Sequence, residues 1–155
     1  MKYDCHVHMG GSITPAFVWE AILRDQRYDL APTYDAVQRL MTFSLQEPRT
    51  FYGFLDKFRI LDRIEWTEDL IDGSVKSVCD ELHKHEIQHS WMRFSVNKYL
   101  EFNKWSSAQA IHFIKESFER HAPGKVGLIL ALKYESDRDN QRALAKLIER
   151  SDIQD

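Results

Sequence analysis

The apolar and polar positions along the chain fall into segments of two different periods. Residues 2–8 alternate Tyr3, Cys5 and Val7 with Asp4, His6 and His8, the period of a strand with two distinct faces. That strand ends at Gly10-Gly11. Thr14-Pro15 then gives an N-cap followed by proline at the first helical position, and Phe17, Val18, Ala21 and Ile22 form one apolar face. Beyond a polar, proline-containing stretch, helices are predicted over residues 34–42 and 51–64, the second with Phe51, Phe54, Leu55, Phe58 and Leu61 in one stripe. Thr67 caps a long helix in which Glu68 and Asp69 complement the helix dipole and Ile71, Val75, Val78 and Leu82 face the core. Gly73 weakens it locally.

The second half repeats a simpler unit. Residues 90–96 read as a strand with Met92, Phe94 and Val96 on one face and Trp91, Arg93 and Ser95 on the other. Residues 106–120 are helical through Ile111, Ile114 and Phe118. Residues 126–132 are apolar on both faces, as expected of a strand in a parallel sheet covered on each side. A last helix over residues 137–149 presents Leu144, Leu147 and Ile148. This order of strand, inserted helices, strand, helix, strand and helix is an α/β pattern. No repeat, low-complexity segment or Gly/Ser-rich linker divides residues 1–155, so no internal domain boundary is expected.

Composition narrows the function classes. Lys and Arg number 21 against 24 Asp and Glu, for a net charge of −3, and no basic block is present that would track a phosphate backbone. Nucleic acid is not an expected partner. Residues 1–7 contain Asp4 and His6 and no long apolar run, so neither a signal peptide nor a membrane span is read there and a cytoplasmic location is expected. Cys5 and Cys79 are too few and too far apart for a disulfide framework, and both are expected to be buried small hydrophobes.

The candidate chemistry sits at the end of the first strand. His6 and His8 are two residues apart, so a regular strand projects both imidazoles from one face, where they can share a metal ion. Gly10-Gly11-Ser12 permits a tight turn and close approach to a ligand at the carboxyl end of the strand. Taken alone, the spacing fits two polar strand residues as well as it fits a ligand pair. Arg93 is expected to be a structural ion-pair donor, and Glu81 and Glu86 solvated helix charges. His83, His85, His89, His112 and His121 fall on helices or loops without a partner pattern and are expected to be surface residues; His83 and His85 repeat the His-x-His spacing, but on a helix that separation points the two rings to different faces.

The run Asp4-Cys5-His6-Val7-His8-Met9-Gly10-Gly11-Ser12-Ile13-Thr14-Pro15 resembles the opening signature of adenosine deaminases and their relatives. Residues 51–58 resemble that family's helix over the substrate pocket, Trp91-Met92-Arg93-Phe94-Ser95 its second barrel strand, and residues 125–130 its third. The resemblance covers essentially the whole chain in order. It implies an incomplete (β/α)8 TIM-type barrel: the first three strand–helix units, with inserted helices between strands 1 and 2.

Carried over by position, the resemblance implies Zn2+ as cofactor with His6 and His8 as its first two ligands. It implies substrate contacts at Gly11, Phe51, Phe54, Leu55 and Phe58, the aromatic and apolar positions forming a wall over a purine nucleoside-like molecule. By default such a stripe is simply core. Gly10 stands where the family commonly has an aspartate or asparagine that contacts the sugar, which weighs against plain adenosine. No residue of residues 1–155 matches the family's proton-shuttling glutamate or later ligands, and a catalytic zinc needs at least three protein ligands. The expectation is therefore one part of a zinc-dependent deaminase acting on adenosine or a related purine nucleoside or nucleotide, inactive alone and completed by another polypeptide or by self-association. The alternatives are a non-catalytic assembly or ligand-binding module, or an amidohydrolase with another substrate.

Overall fold

The computed structural model describes residues 2–131 and 142. Three strands, β1 (Lys2–His8), β2 (Ile87–Phe94) and β3 (Val126–Leu130), form one parallel sheet in the order β1-β2-β3. Parallel neighbours need a long crossover, and the chain provides two. The first carries α1 (Met9–Ser12), α2 (Pro15–Asp25), α3 (Tyr34–Met41), α4 (Phe51–Asp56), a 3-10 turn (Leu61–Arg63) and α5 (Glu68–Lys84). The second carries α6 (Asn97–Asn103) and α7 (Ser107–His121). The sequence-predicted helix over residues 137–149 and the end of the strand at Leu132 lie outside the described residues, position 142 excepted.

Helix starts follow the side-chain chemistry. Thr14, Thr33, Thr50 and Thr67 each accept the amide proton of the residue three positions on, at 3.0 to 3.3 Å. Ser106 and Gln109 form a reciprocal capping box at the start of α7. Each such cap contributes about 1 kcal/mol.

The core lies on one side of the sheet. Ser90, Met92 and Phe94 of β2 are buried beneath Ile71, Val75 and Val78 of α5 and Ile111, Ile114 and Phe118 of α7. A polar latch joins the two helices, with the Asp72 carboxylate accepting hydrogen bonds from Ser117 Oγ, from Arg120 Nη1 at 2.7 Å and from His121 Nε2 at 3.1 Å. His121 is thus half-buried and bound, not the surface residue expected. Partial burial pushes the Asp72 carboxyl up, but the Ser117 and His121 hydrogen bonds with the nearby His121 and Arg120 charges outweigh it and hold it below the usual carboxylate value.

The opposite side of the sheet is open among the described residues. Tyr3 is 58% and Trp91 51% exposed, and Cys5 and His89 are exposed beside them. Tyr3 stacks on His89, while the Trp91 indole lies over its register partner Gly127, leaving no room for a side chain there. Cys5 is therefore not the buried thiol expected; Cys79 is buried, and burial pushes its thiol up to about 11. No helix among the described residues is long and apolar enough to cross a membrane.

Three elements differ from the sequence pattern. The helix predicted over residues 51–64 breaks after Asp56, where a run of bonds to the third preceding carbonyl tightens the winding through Arg63. Three residues per turn put Phe58, Leu61 and Ile64 above one another, turning them inward and leaving Phe51, Phe54 and Leu55 exposed. The second strand begins at Ile87 and ends at Phe94, because Val96, with helical backbone angles, is already the N-cap of α6, which the sequence pattern did not show. That short helix is held from outside through Trp66: Tyr99 is buried edge-on against its ring, and Asn103 Nδ2 donates to its carbonyl at 2.8 Å as well as to the Tyr99 carbonyl within the helix at 2.9 Å. Finally, Gly10 and Gly11 lie in the single turn of α1 with no left-handed φ.

Candidate metal and substrate cleft

Strict alternation in β1 would put His6 on the same side as Asp4 and opposite Tyr3 and Cys5. The register shows otherwise. Asp4 pairs with Ser90 but Val7 pairs with Met92, so three steps on β1 match two on β2 and one extra residue is bulged out opposite Trp91. Asp4 and Val7 are accordingly half-buried, whereas Tyr3, Cys5, His6 and His8 are exposed on the open side. The expected grouping of Tyr3, Cys5 and Val7 on one face is corrected by this bulge, and the two histidines, which alternation already groups together, share the open side with Tyr3 and Cys5 because of it.

Side chains take up the backbone of the bulge. The Asp4 carboxylate accepts the His6 amide proton at 3.2 Å, a local Asx turn. Arg93, register partner of His8, reaches across from β2 and donates from Nη1 to the Cys5 carbonyl at 3.4 Å. Among the described residues no carboxylate lies within ion-pair distance of Arg93, so the ion pair expected from the sequence is replaced by a backbone contact.

The outcome is a close pair of imidazoles. His6 Nε2 and His8 Nε2 are 3.1 Å apart, with ring centroids separated by 5.2 Å. Two zinc–nitrogen bonds of about 2.05 Å over that separation would subtend about 98°, near the tetrahedral angle. The pair fits as two ligands of one ion. Among the described residues no group of three His, Cys, Asp or Glu side chains could hold a metal, so the pair is an incomplete set.

The pair opens onto a cleft of about 840 Å³ at the carboxyl ends of β1 and β2. Gly10 and Gly11 line it, and nothing stands within 4 Å of where a Gly10 side chain would begin. Phe54 and Phe58, edge-on with centroids 5.1 Å apart, form an apolar wall. Phe51 and Leu55, the other two wall positions implied by the resemblance, are exposed and lie outside the cleft lining.

Residues that the sequence reading left out also line it. Lys57 is held by Glu47 at 2.7 Å, and Lys98 sits over the rings of Trp66 and Tyr99. Tyr99 donates to Met9 Sδ at 3.8 Å, and burial pushes its phenol well above the usual value. Ser95 Oγ is buried with no hydrogen-bond partner among the described residues, an unused donor at the rim. Its alternation with Arg93 in the strand predicted over residues 90–96 was the available signal. Tyr99 and Lys98 offered none, because α6 has no side-chain cap.

No family model and no curated protein matches the sequence. The fold does match solved structures. An amidohydrolase from Burkholderia ambifaria, crystallised with bound Zn, superposes with a TM-score of 0.73 over 98% of this chain and 42% of its own, at 18% identity. Adenine deaminase from Arthrobacter aurescens gives a TM-score of 0.68 over 96% of this chain and 45% of its own, at 13% identity. The chain therefore has the mixed α/β fold seen in amidohydrolases, and spans less than half the length of either structure.

Proposed function

We propose that this chain contributes the opening part of the active site of a zinc-dependent hydrolytic deaminase acting on a purine nucleoside or a related purine. The observation that carries the reading is the pair of Nε2 atoms 3.1 Å apart at the mouth of the cleft. His6 and His8 would hold the ion. Zinc, when bound at such a site, lowers the pKa of a coordinated water so that it can act as a nucleophile at neutral pH.

The chain's own residues do the rest of what is visible. Phe54 and Phe58 offer a flat heterocycle an apolar surface, and Gly11 leaves the floor of the cleft clear. Gly10 gives open space where the resembling family commonly places a sugar-contacting carboxylate or amide, so a purine bound without that contact suits this cleft better than adenosine. With two ligands among the described residues, activity belongs to an assembly in which further strand–helix units complete the site.

The test is reconstitution. The 155-residue chain is combined with a polypeptide carrying the remaining strands of an amidohydrolase barrel, loaded with zinc, and assayed for ammonia release from a panel of purines. Release by the complemented sample, abolished by His6→Ala, is expected. Ammonia release at an enzyme-like rate by the chain alone would overturn the reading. The two-ligand set by itself favours a second reading, a non-catalytic binding module, which expects purine binding by the complemented sample and no ammonia.

A further inference from the structure

We infer that Arg93 is a positioning residue: its guanidinium clamps the bulge of β1 so that His6 and His8 converge. The inference rests on the reading of that pair as metal ligands, but its geometry stands without it. In a bulge the extra residue leaves the regular ladder, and its backbone groups need other partners. Here the two sides of one peptide unit are taken up separately. Asp4 accepts from the His6 amide, and Arg93 donates to the Cys5 carbonyl of that same peptide bond. The orientation of this one peptide sets where the His6 ring leaves the strand, and His6 must be there to meet His8 at 3.1 Å.

Asp4 acts from within β1, two residues from His6, and cannot fix β1 against its neighbour. Arg93 can, since it belongs to β2 and is the register partner of His8. The clamp therefore ties both histidines to one guanidinium: His8 through the ladder and His6 through the Cys5 carbonyl. Its cationic charge serves no metal directly. A positive group lining the cleft repels a divalent ion, so charge and clamp predict opposite results when Arg93 is neutralised.

The experiment titrates Co2+ into the full chain and into Arg93→Gln, Arg93→Met, Arg93→Lys and His6→Ala, with a thermal melt of each. In parallel, ring-to-ring nuclear Overhauser contacts between His6 and His8 are recorded without metal. The clamp predicts that Arg93→Gln and Arg93→Met lose the ring contact and bind Co2+ about tenfold more weakly, the lower end for residues that orient metal ligands. Arg93→Lys, keeping one donor and the charge, should fall between them and the wild type.

Unchanged or tighter Co2+ binding in a folded Gln or Met variant, with the ring contact intact, overturns the inference. So does loss of folding by both while Arg93→Lys folds, which would make Arg93 a general structural residue. If wild type shows no Co2+ binding sensitive to His6→Ala, the metal reading fails by itself, and the clamp is judged on the ring contact alone.

Discussion

At the scale of single residues, the histidines divide into those that share a site and those that do not. His112 pairs with Glu116 along α7 at 3.2 Å, a fully helical contact remote from the cleft lining. His6→Ala or His8→Ala should therefore abolish specific zinc binding in a calorimetric titration, while His112→Ala leaves it unchanged; equal losses from all three would mean surface adsorption. The cysteines divide as clearly. Cys79 is buried with its thiol raised to about 11, so at pH 8 almost none of it is thiolate. Iodoacetamide applied to the native chain should label Cys5 and leave Cys79 untouched, and peptide mass mapping reads the result. Sequence alone put both cysteines inside. It erred at Cys5 because burial there depends on strands across the open side, not on the residue's own neighbours.

At the scale of elements, the α5–α7 latch gives stability a definite acid limit. A carboxyl held below its ordinary value favours the folded state above the unfolded pKa of about 3.9, and that contribution disappears as pH falls through the lower folded value. Asp72→Asn should cost about 1 kcal/mol near neutral pH, from hydrogen bonds to a charged acceptor that is partly exposed. Below about pH 4 the variant and wild type should converge, as followed by urea melts across the acid range. The Trp91–Gly127 pair is equally specific. A Cβ on Gly127 would fall 2.5 Å from the indole, so Gly127→Ala should destabilise by about 1 to 3 kcal/mol. Trp91→Leu should recover much of that loss, a coupling that a double-mutant cycle measures.

Elements also show what the sequence could tell. The caps at Thr14 and Thr67, the apolar face of α5 and the order of strands along the chain were legible because they depend on residues close in sequence. The bulge was not: alternation grouped the histidines together, yet the register that puts them on the open side is set by pairing with β2, some 85 positions away. The break after Asp56 and the existence of α6 were hidden for the same reason, being fixed by Ile60, Leu61 and Tyr99 packing into a distant core.

For the whole molecule, the governing feature is a sheet that the described residues cover on one side. Covering even about 400 Å² of apolar surface on the open side would contribute about 10 kcal/mol, comparable to the entire stability of a small domain. The isolated chain should accordingly bind a hydrophobic dye, scatter light as an oligomer or melt without cooperativity. A compact monomer with a sharp melt and no dye binding, its sheet unrearranged, would contradict the expected need for a complement. Trp91 makes the assembly visible. Of the four tryptophans it is the one exposed, at the centre of the open side, while Trp66 is buried and Trp19 and Trp105 are half-buried. The chain thus carries its own optical gauge: closure should shift the Trp91 emission to the blue and shelter it from iodide quenching, and Trp91→Phe should remove that signal while leaving the other three indoles as an internal reference.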